Sequence, residues 1–144
     1  MISFVALTEL TAEQAYRLFR LRVDVFVVEQ NCAYPEIDAV DAHPETRHVL
    51  AWDDDGELLA CGRVFPTPDG PRFGRYVVSP AARGTGLGPG LVRAAIEYTT
   101  RWPGDLVIEA QSGLTNYYGQ FGFVAEGPEY LDAGIAHRVM RIAR

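Results

Sequence analysis

A glycine-rich turn at residues 83–88, Arg-Gly-Thr-Gly-Leu-Gly, holds the residues best suited to binding chemistry. It follows an apolar, strand-like run and precedes an amphipathic, helix-like one. Glycine has no Cβ atom to hold a ligand away from the backbone, and the free N–H groups at a helix start point at whatever lies there. The helix dipole adds partial positive charge, and Arg83 adds a full charge. The pattern therefore predicts an anion-binding turn, made of Arg83, Gly84, Thr85, Gly86, Leu87 and Gly88.

Two common nucleotide-binding patterns do not fit this anion turn. A Walker A loop requires Lys and Ser or Thr directly after its last glycine, whereas Gly88 is followed by Pro89 and Gly90. The dinucleotide pattern Gly-x-Gly-x-x-Gly is also absent, because these glycines fall at every second position. A nucleotide-sensing domain is therefore disfavoured. A tight turn with no ligand remains the structural alternative.

The spacing Arg-x-x-Gly-x-Gly from Arg83 to Gly88 resembles the coenzyme A pyrophosphate loop of the GNAT acyltransferases. A second resemblance lies downstream, where the strand-like segment 106–111 is followed by the pair Tyr117–Tyr118 and then by Gly122–Phe123. The two matches occur in the order that the family requires.

Two further stretches, residues 21–41 and 132–137, are similar to the ElaA-type branch of the family, so the resemblance covers nearly the whole chain. The family implies one acetyltransferase domain over residues 1–144, of class α/β (α+β). Its fold is a mixed central sheet of about six or seven strands, flanked by helices. The sheet is expected to splay between its fourth and fifth strands.

Local patterns place the elements of such a fold. Thr11 and Gln14 form a capping box, which opens a helix expected to run to about Phe26. Residues 31–46 form one long irregular segment, and such segments are often functional. The other expected helices are 87–101 and 114–121, and the expected strands are 2–7, 47–52, 57–65, 73–78, 106–110, 123–126 and 137–142.

The resemblance implies acetyl-CoA, or coenzyme A, as the cosubstrate, and no metal. Its pantetheine arm would lie in the splay like an extra strand, bonded to main-chain groups of the segment Tyr76, Val77 and Val78. A main-chain N–H near Val78 would stabilise the oxyanion. Asn116 would either bond the pantetheine or cap the helix start.

For catalysis, the resemblance implies that the acceptor amine attacks the thioester directly, with alignment of two bound substrates supplying most of the rate. Tyr118 is the candidate general acid that protonates the departing thiolate, with a packing role as its alternative. The fourth strand carries no carboxylate to act as base. The candidate bases are Glu29, Asp38, Glu109 and His137, each of which also has an ordinary structural interpretation.

Net charge and the distribution of charged residues limit the classes of molecule that this protein could bind. A net charge of −6 over 144 residues argues against nucleic-acid binding. Four arginines, Arg72, Arg75, Arg83 and Arg93, would supply a local positive excess for coenzyme A. Four acidic residues, Glu29, Glu36, Asp38 and Asp41, would suit a small cationic amine in the acceptor pocket, and a protein amine is the other acceptor considered.

The sequence also bears on the cellular location of the protein, on its cysteines and on its oligomeric state. No apolar run approaches twenty residues and the N-terminus lacks a basic region, so we expect no membrane span and a cytoplasmic protein. Cys32 and Cys61 are too few for a disulfide framework and are expected to be packed in the core. Related folds often form a homodimer, and no residue here fixes an interface for one.

The sequence thus predicts an acyl-CoA-dependent N-acyltransferase that moves an acetyl group from acetyl-CoA to a primary amine in a ternary complex. The alternative is a non-catalytic acyl-CoA-binding or regulatory module, which would keep the anion turn without an acceptor site. The missing fourth-strand carboxylate favours that alternative, and the presence of Tyr118 argues against it.

Overall fold

A computed structural model describes residues 2–144 as one seven-stranded mixed sheet in the order β1-β2-β3-β4-β5-β7-β6. Every neighbouring pair of strands is antiparallel except β4 and β5, which are parallel. The strands are β1 (Ile2–Val5), β2 (Arg47–Trp52), β3 (Leu58–Phe65), β4 (Arg72–Val78), β5 (Leu106–Gln111), β6 (Val124–Asp132) and β7 (Ile135–Ile142). The helices are α1 (Ala12–Val23), α2 (Ala39–Ala42), α3 (Leu87–Tyr98) and α4 (Thr115–Gly119). The predicted fold class is therefore confirmed.

The helix boundaries follow partly from local signals. The capping box predicted at α1 is present, with Thr11 Oγ1 accepting from Gln14 N at 3.1 Å. The predicted end at Phe26 is wrong, because α1 ends at Val23 and the chain continues as a π-helical turn over Asp24–Glu29. Such wide turns are frequently found at functional sites. None of the helices within residues 2–144 is both long enough and apolar enough to cross a membrane.

The predicted splay between β4 and β5 is confirmed by their pairing. The two strands share one residue pair, Arg72 with Val107, and then diverge. Along the same stretch, β4 holds a bulge against β3, and Arg75 within it has a φ of 50°. A side chain in this left-handed region raises the energy of the backbone by about 1 kcal/mol or more, so the surroundings must hold Arg75 in place.

An ionic network supplies that restraint. Arg75 Nε lies 2.9 Å from Glu36 Oε2, and the Arg75 guanidinium lies over the ring of Tyr34. The same network contains Arg22, Arg63, Glu36, Asp38 and Asp41, of which Arg22 and Asp41 are almost fully buried. It fastens the irregular segment 31–46 to α1 and to the bulge of β4.

Two apolar layers cover the sheet. Leu91, Val92 and Ala95 of α3 pack on one face, together with Tyr118 and Phe123. Leu18 of α1 packs on the other face, in a cluster that includes Cys61. Cys61 is a core residue as predicted, and burial raises the pKa of its thiol to about 12. Cys32 is not in the core: it is partly exposed and lines the cavity described next.

Candidate active site

A cavity of about 640 Å³ lies where β4 and β5 separate. Its walls are β4, β5, the π-helical turn after α1, part of segment 31–46, α4 and the start of β7. The residues singled out from the sequence that line it are Glu29, Glu36, Arg72, Arg75, Tyr76, Val77, Val78, Arg83, Glu109, Tyr118 and His137. The splay therefore brings together residues from distant parts of the sequence.

The anion turn lies beside the mouth of this cavity. Gly84 and Gly86 have φ values of +78° and +84°, and a Cβ built on either would meet nothing within 4 Å. Within residues 2–144, the backbone N–H groups of Gly84, Thr85 and Gly86 donate to no protein acceptor. Three donors without protein acceptors thus lie next to a helix N-terminus, with open space around Gly84 and Gly86, and this is the arrangement that an anion requires.

Gly88 has a different reason to be glycine. It is buried, and a Cβ there would collide with Tyr76 Oη and lie 2.8 Å from Val78 Cγ2. The Tyr76 hydroxyl shares a hydrogen bond of 2.7 Å with the Tyr117 hydroxyl. Gly88 therefore allows α3 to pack closely against β4, whereas the sequence pattern suggested that it makes room for a ligand. Leu87 likewise packs against the apolar core.

Arg83 connects the anion turn to the cavity and is the residue of that turn that lines it. Its Nε donates to the Val78 carbonyl at 3.1 Å. Its Nη2 lies 3.0 Å from Glu29 Oε1, in an ion pair exposed to solvent. Glu29 therefore serves as the partner of Arg83, which favours a binding role over the predicted role as base.

Tyr118 presents a hydroxyl without a protein partner. The ring is 8% exposed and packs edge-on against Tyr117 and Phe123. Among the described residues its hydroxyl makes no hydrogen bond, although the side chain lines the cavity. Burial raises the pKa of Tyr118 above its ordinary value, so the phenol stays protonated and can donate. Tyr117, which the sequence suggested is a core residue, is half-buried and held by Tyr76.

His137 and Glu109 line the cavity on the β5–β7 side. His137 Nδ1 lies 2.7 Å from the carbonyl oxygen of Ile135. Because a carbonyl can only accept, Nδ1 carries a proton, and in the neutral imidazole the lone pair then lies on Nε2. Tyr130 donates to Glu109 Oε1 at 3.0 Å and stacks on the His137 ring.

The predicted acidic acceptor pocket is wrong. Glu36 and Asp41 both bind Arg22, while Asp38 binds Arg63 and Arg75. Burial alone would raise the pKa of Asp41, but its bonds to Arg22 more than offset this and lower it to about 2. For Glu36 burial prevails, and its pKa is raised. These carboxylates hold the segment together and are not free to bind a cation.

Two of the predicted coenzyme-binding arginines, of which Arg75 lines the cavity and Arg93 does not, are engaged by other residues. Arg75 is consumed by the ionic network, and Arg93 lies outside the cavity with its guanidinium 5.0 Å from the centre of the Phe121 ring. Asn116 is exposed, lies outside the cavity lining and does not cap α4, whose N-cap is Leu114. Among residues 2–144, no group of three or more His, Cys, Asp or Glu side chains is placed to hold a metal.

Sequence reasoning missed Tyr130, Tyr34, Cys32 and the individual role of Arg72. Tyr130 sits in no recognisable motif, and Cys32, which lies within the stretch 21–41, was predicted to be a core residue. Strand register brings Tyr130 beside His137, and a long-range bond of 3.4 Å from Cys32 Sγ to the Ala133 carbonyl places Cys32 at the cavity. A local signal for either residue is therefore lacking.

Comparisons with known proteins agree with this architecture. The chain matches the family described as "Acetyltransferase (GNAT) domain" over residues 8–144. It is 41% identical to Protein ElaA of Escherichia coli over 135 residues, which cover 90% of this chain and 88% of that protein. The fold matches the crystal structure of an acyl-CoA N-acyltransferase from Pseudomonas aeruginosa, with 39% identity, a TM-score of 0.91 and 99% of both chains covered.

The crystal structure of Escherichia coli ElaA gives a similar result, with 37% identity, a TM-score of 0.91 and 98% of both chains covered. The chain therefore belongs to the GNAT acetyltransferase family, and the predicted resemblance to its ElaA-type branch is confirmed. The family supports acyl transfer from an acyl-CoA to an amine-bearing acceptor.

Proposed function

We propose that this protein transfers an acetyl group from acetyl-CoA to a primary amine in a ternary complex. One observation carries the proposal: the cavity in the β4–β5 splay has the free N–H groups of the anion turn at its mouth and the unbonded Tyr118 hydroxyl in its wall. The first feature suits a pyrophosphate and the second suits a leaving thiolate.

Coenzyme A binding uses the backbone. The pyrophosphate accepts hydrogen bonds from the N–H groups of Gly84, Thr85 and Gly86. It also displaces Glu29 from its ion pair with the Arg83 guanidinium. The pantetheine arm lies against Tyr76, Val77 and Val78, where β4 has lost its β5 neighbour and has main-chain groups to offer. This arrangement places the thioester near the bulge of β4 and close to Tyr118.

Two protein groups transfer the protons in the chemical step. The amine nitrogen attacks the thioester carbon, the C–S bond breaks, and Tyr118 donates its proton to the departing sulfur. His137 Nε2, the ring nitrogen with the free lone pair, accepts the proton that the amine loses. Alignment of the two substrates in one cavity supplies most of the rate.

Direct transfer requires no acyl-enzyme. Cys32 is the thiol that lines the cavity, so it is the group to test as an alternative nucleophile. Intact-protein mass spectrometry after incubation with acetyl-CoA alone should show no added acetyl group. Cys32→Ser should retain turnover, and an acetylated Cys32 that forms at the rate of turnover would contradict direct attack.

The proposal is tested by titrating acetyl-CoA calorimetrically and then following thiol release on a panel of amines. Binding together with release for one amine class is the expected result. Binding without release for any amine would favour the non-catalytic acyl-CoA-binding module, which the missing β4 carboxylate keeps as the second candidate. No binding would remove both.

A further inference from the structure

The charged side chains that line the cavity differ in whether they have partners. Arg63, Arg75 and Arg83 each form ion pairs with carboxylates. Arg72 lines the same cavity, yet among residues 2–144 its guanidinium makes no hydrogen bond or ion pair, and its Nη1 atom is buried without a partner. A donor atom of a cationic group is unfavourable when it is buried without a partner. The molecule therefore keeps an unsatisfied cation in the cavity wall.

The position of Arg72 separates it from the coenzyme A phosphates. It begins β4, whereas the anion turn lies beyond Val78 at the other end of that strand. Six residues of extended chain span about 20 Å. A pyrophosphate at Arg83 is thus out of reach of Arg72, which lines the part of the cavity at the start of β4, on the far side of the bulge from the anion turn.

Unpaired anions lie on the same side of the cavity as Arg72. Arg72 is the register partner of both Phe65 and Val107, so these side chains share one face of the sheet. Glu109, two residues beyond Val107, projects to that face as well. Glu109 accepts from Tyr130 but has no cationic partner within the described chain, and neither does Asp132 at the cavity wall.

We propose that Arg72 binds a carboxylate of the acceptor, so that the substrate is a zwitterion of the amino-acid type and not a simple polyamine. This rests on the proposed function. The guanidinium takes the carboxylate through paired hydrogen bonds, and Glu109 with Asp132 takes the ammonium before it loses its proton. Phe65 and Tyr34, which also line the cavity, exclude water and strengthen these contacts.

The test compares matched amines. Thiol release from acetyl-CoA is measured with an amino acid and with the amine left when its carboxylate is replaced by hydrogen: β-alanine against ethylamine, and lysine against cadaverine. The wild type should prefer the acid by about tenfold or more in kcat/KM. Arg72→Gln should abolish that preference, through a higher KM for the acid.

The matched control is Arg20→Gln, which removes the same charge from an exposed site on α1 outside the cavity. It should keep the full preference for the acid. Arg72→Gln should also be at least as stable as the wild type, because the Arg72 guanidinium gives up no hydrogen bond or ion pair. No preference in the wild type, or the same preference in Arg72→Gln, would overturn the inference while leaving the proposed function intact.

The carboxylate that binds Arg72 could instead belong to the acyl group of the acyl-CoA. A second experiment distinguishes this from a carboxylate on the acceptor. If succinyl-CoA were preferred over acetyl-CoA with every amine, and Arg72→Gln removed that preference, the assignment to the acceptor would be overturned. If no amine supports turnover, calorimetry decides independently. N-acetylglycine should bind the protein saturated with coenzyme A more tightly than N-methylacetamide does, and equal binding, or binding unaffected by Arg72→Gln, would contradict the inference.

Discussion

Arg83 and Glu29 form an ion pair at the mouth of the cavity, with Arg83 Nη2 3.0 Å from Glu29 Oε1, although 54 residues separate them along the chain. The same guanidinium holds the last carbonyl of β4 through its Nε. A pyrophosphate arriving at the anion turn must therefore compete with Glu29 for one face of Arg83. In the proposed binding mode, the Glu29 carboxylate occupies the position on Arg83 that the pyrophosphate would take.

Glu29→Gln should consequently tighten coenzyme A binding. An exposed ion pair contributes at most about 1 kcal/mol, so removing the competitor should lower Kd by up to about fivefold. Calorimetric titration measures this, with Glu45→Gln as a control that removes an exposed charge outside the cavity. Weaker binding would refute the competition, and a fall in kcat of about a hundredfold or more would restore Glu29 as the base.

Tyr118→Phe should lower kcat by about a hundredfold or more, with little change in coenzyme A affinity. Because the hydroxyl has no protein partner, the free energy of unfolding should change by less than about 1 kcal/mol. Tyr117→Phe is the matched neighbour: it breaks the bond to Tyr76, so it should lower stability by about 1 kcal/mol and affect kcat less. A larger loss of kcat at Tyr117 would show that the acid is misassigned.

The pH dependence of kcat offers a separate check on Tyr118. Burial raises its pKa above the ordinary tyrosine value near 10, so the phenol stays protonated as pH rises through about 10. Ionisation of Tyr118 should therefore cause no fall in kcat below about pH 10. Below that pH, the wild type and Tyr118→Phe should have pH–rate profiles of the same shape. A decline near pH 8 that vanishes in the variant would contradict the assignment.

Gly88→Ala and Gly90→Ala form an informative pair on α3. The new methyl at 88 would collide with Tyr76 Oη, and we expect a loss of about 1–3 kcal/mol together with weaker coenzyme A binding. At Gly90 the space is open and the backbone is helical, so alanine should raise stability by up to about 1 kcal/mol. Denaturant unfolding of both variants measures the difference. Equal effects would show that α3 does not pack as described.

Acid should weaken the ionic network through Asp41. Its pKa is about 2 when folded and ordinarily about 3.8, so its contribution is present above pH 4 and lost as pH falls towards 2. The shift corresponds to about 2 kcal/mol. Asp41→Asn should be destabilised at pH 7 and should lose less further stability between pH 4 and pH 2 than the wild type does. The exposed Asp24→Asn should keep the wild-type slope, and an unchanged slope in Asp41→Asn would contradict this account.

Local signals explain which features the sequence could predict. The anion turn, the capping box at Thr11 and the paired tyrosines on α4 each lie within a few residues, so spacing alone reveals them. The splay was implied by family resemblance, and the single residue pair between β4 and β5 agrees with it. The first three features depend on backbone geometry that neighbouring residues determine, whereas the splay joins two strands that are distant in the sequence.

The acceptor side depends on contacts between distant residues. Nothing local shows that Glu36, Asp38 and Asp41 are bound by Arg22, Arg63 and Arg75, so acidic residues near one another suggested a cation site. The end of α1 was misplaced because the apolar run 25–28 continues through the π-helical turn. Arg72 differs from its neighbouring arginines only in lacking a partner, which requires the folded chain to be seen.

The most direct test of the central claim is a single reaction containing the protein, acetyl-CoA and one amine at a time, in which thiol release and the mass of the amine product are measured together. The account predicts that, for one class of amine, each released thiol is matched by one N-acetylated product, and that both fall together in Tyr118→Phe. Thiol release without acetylated amine, or no release with any amine despite bound acetyl-CoA, would contradict it.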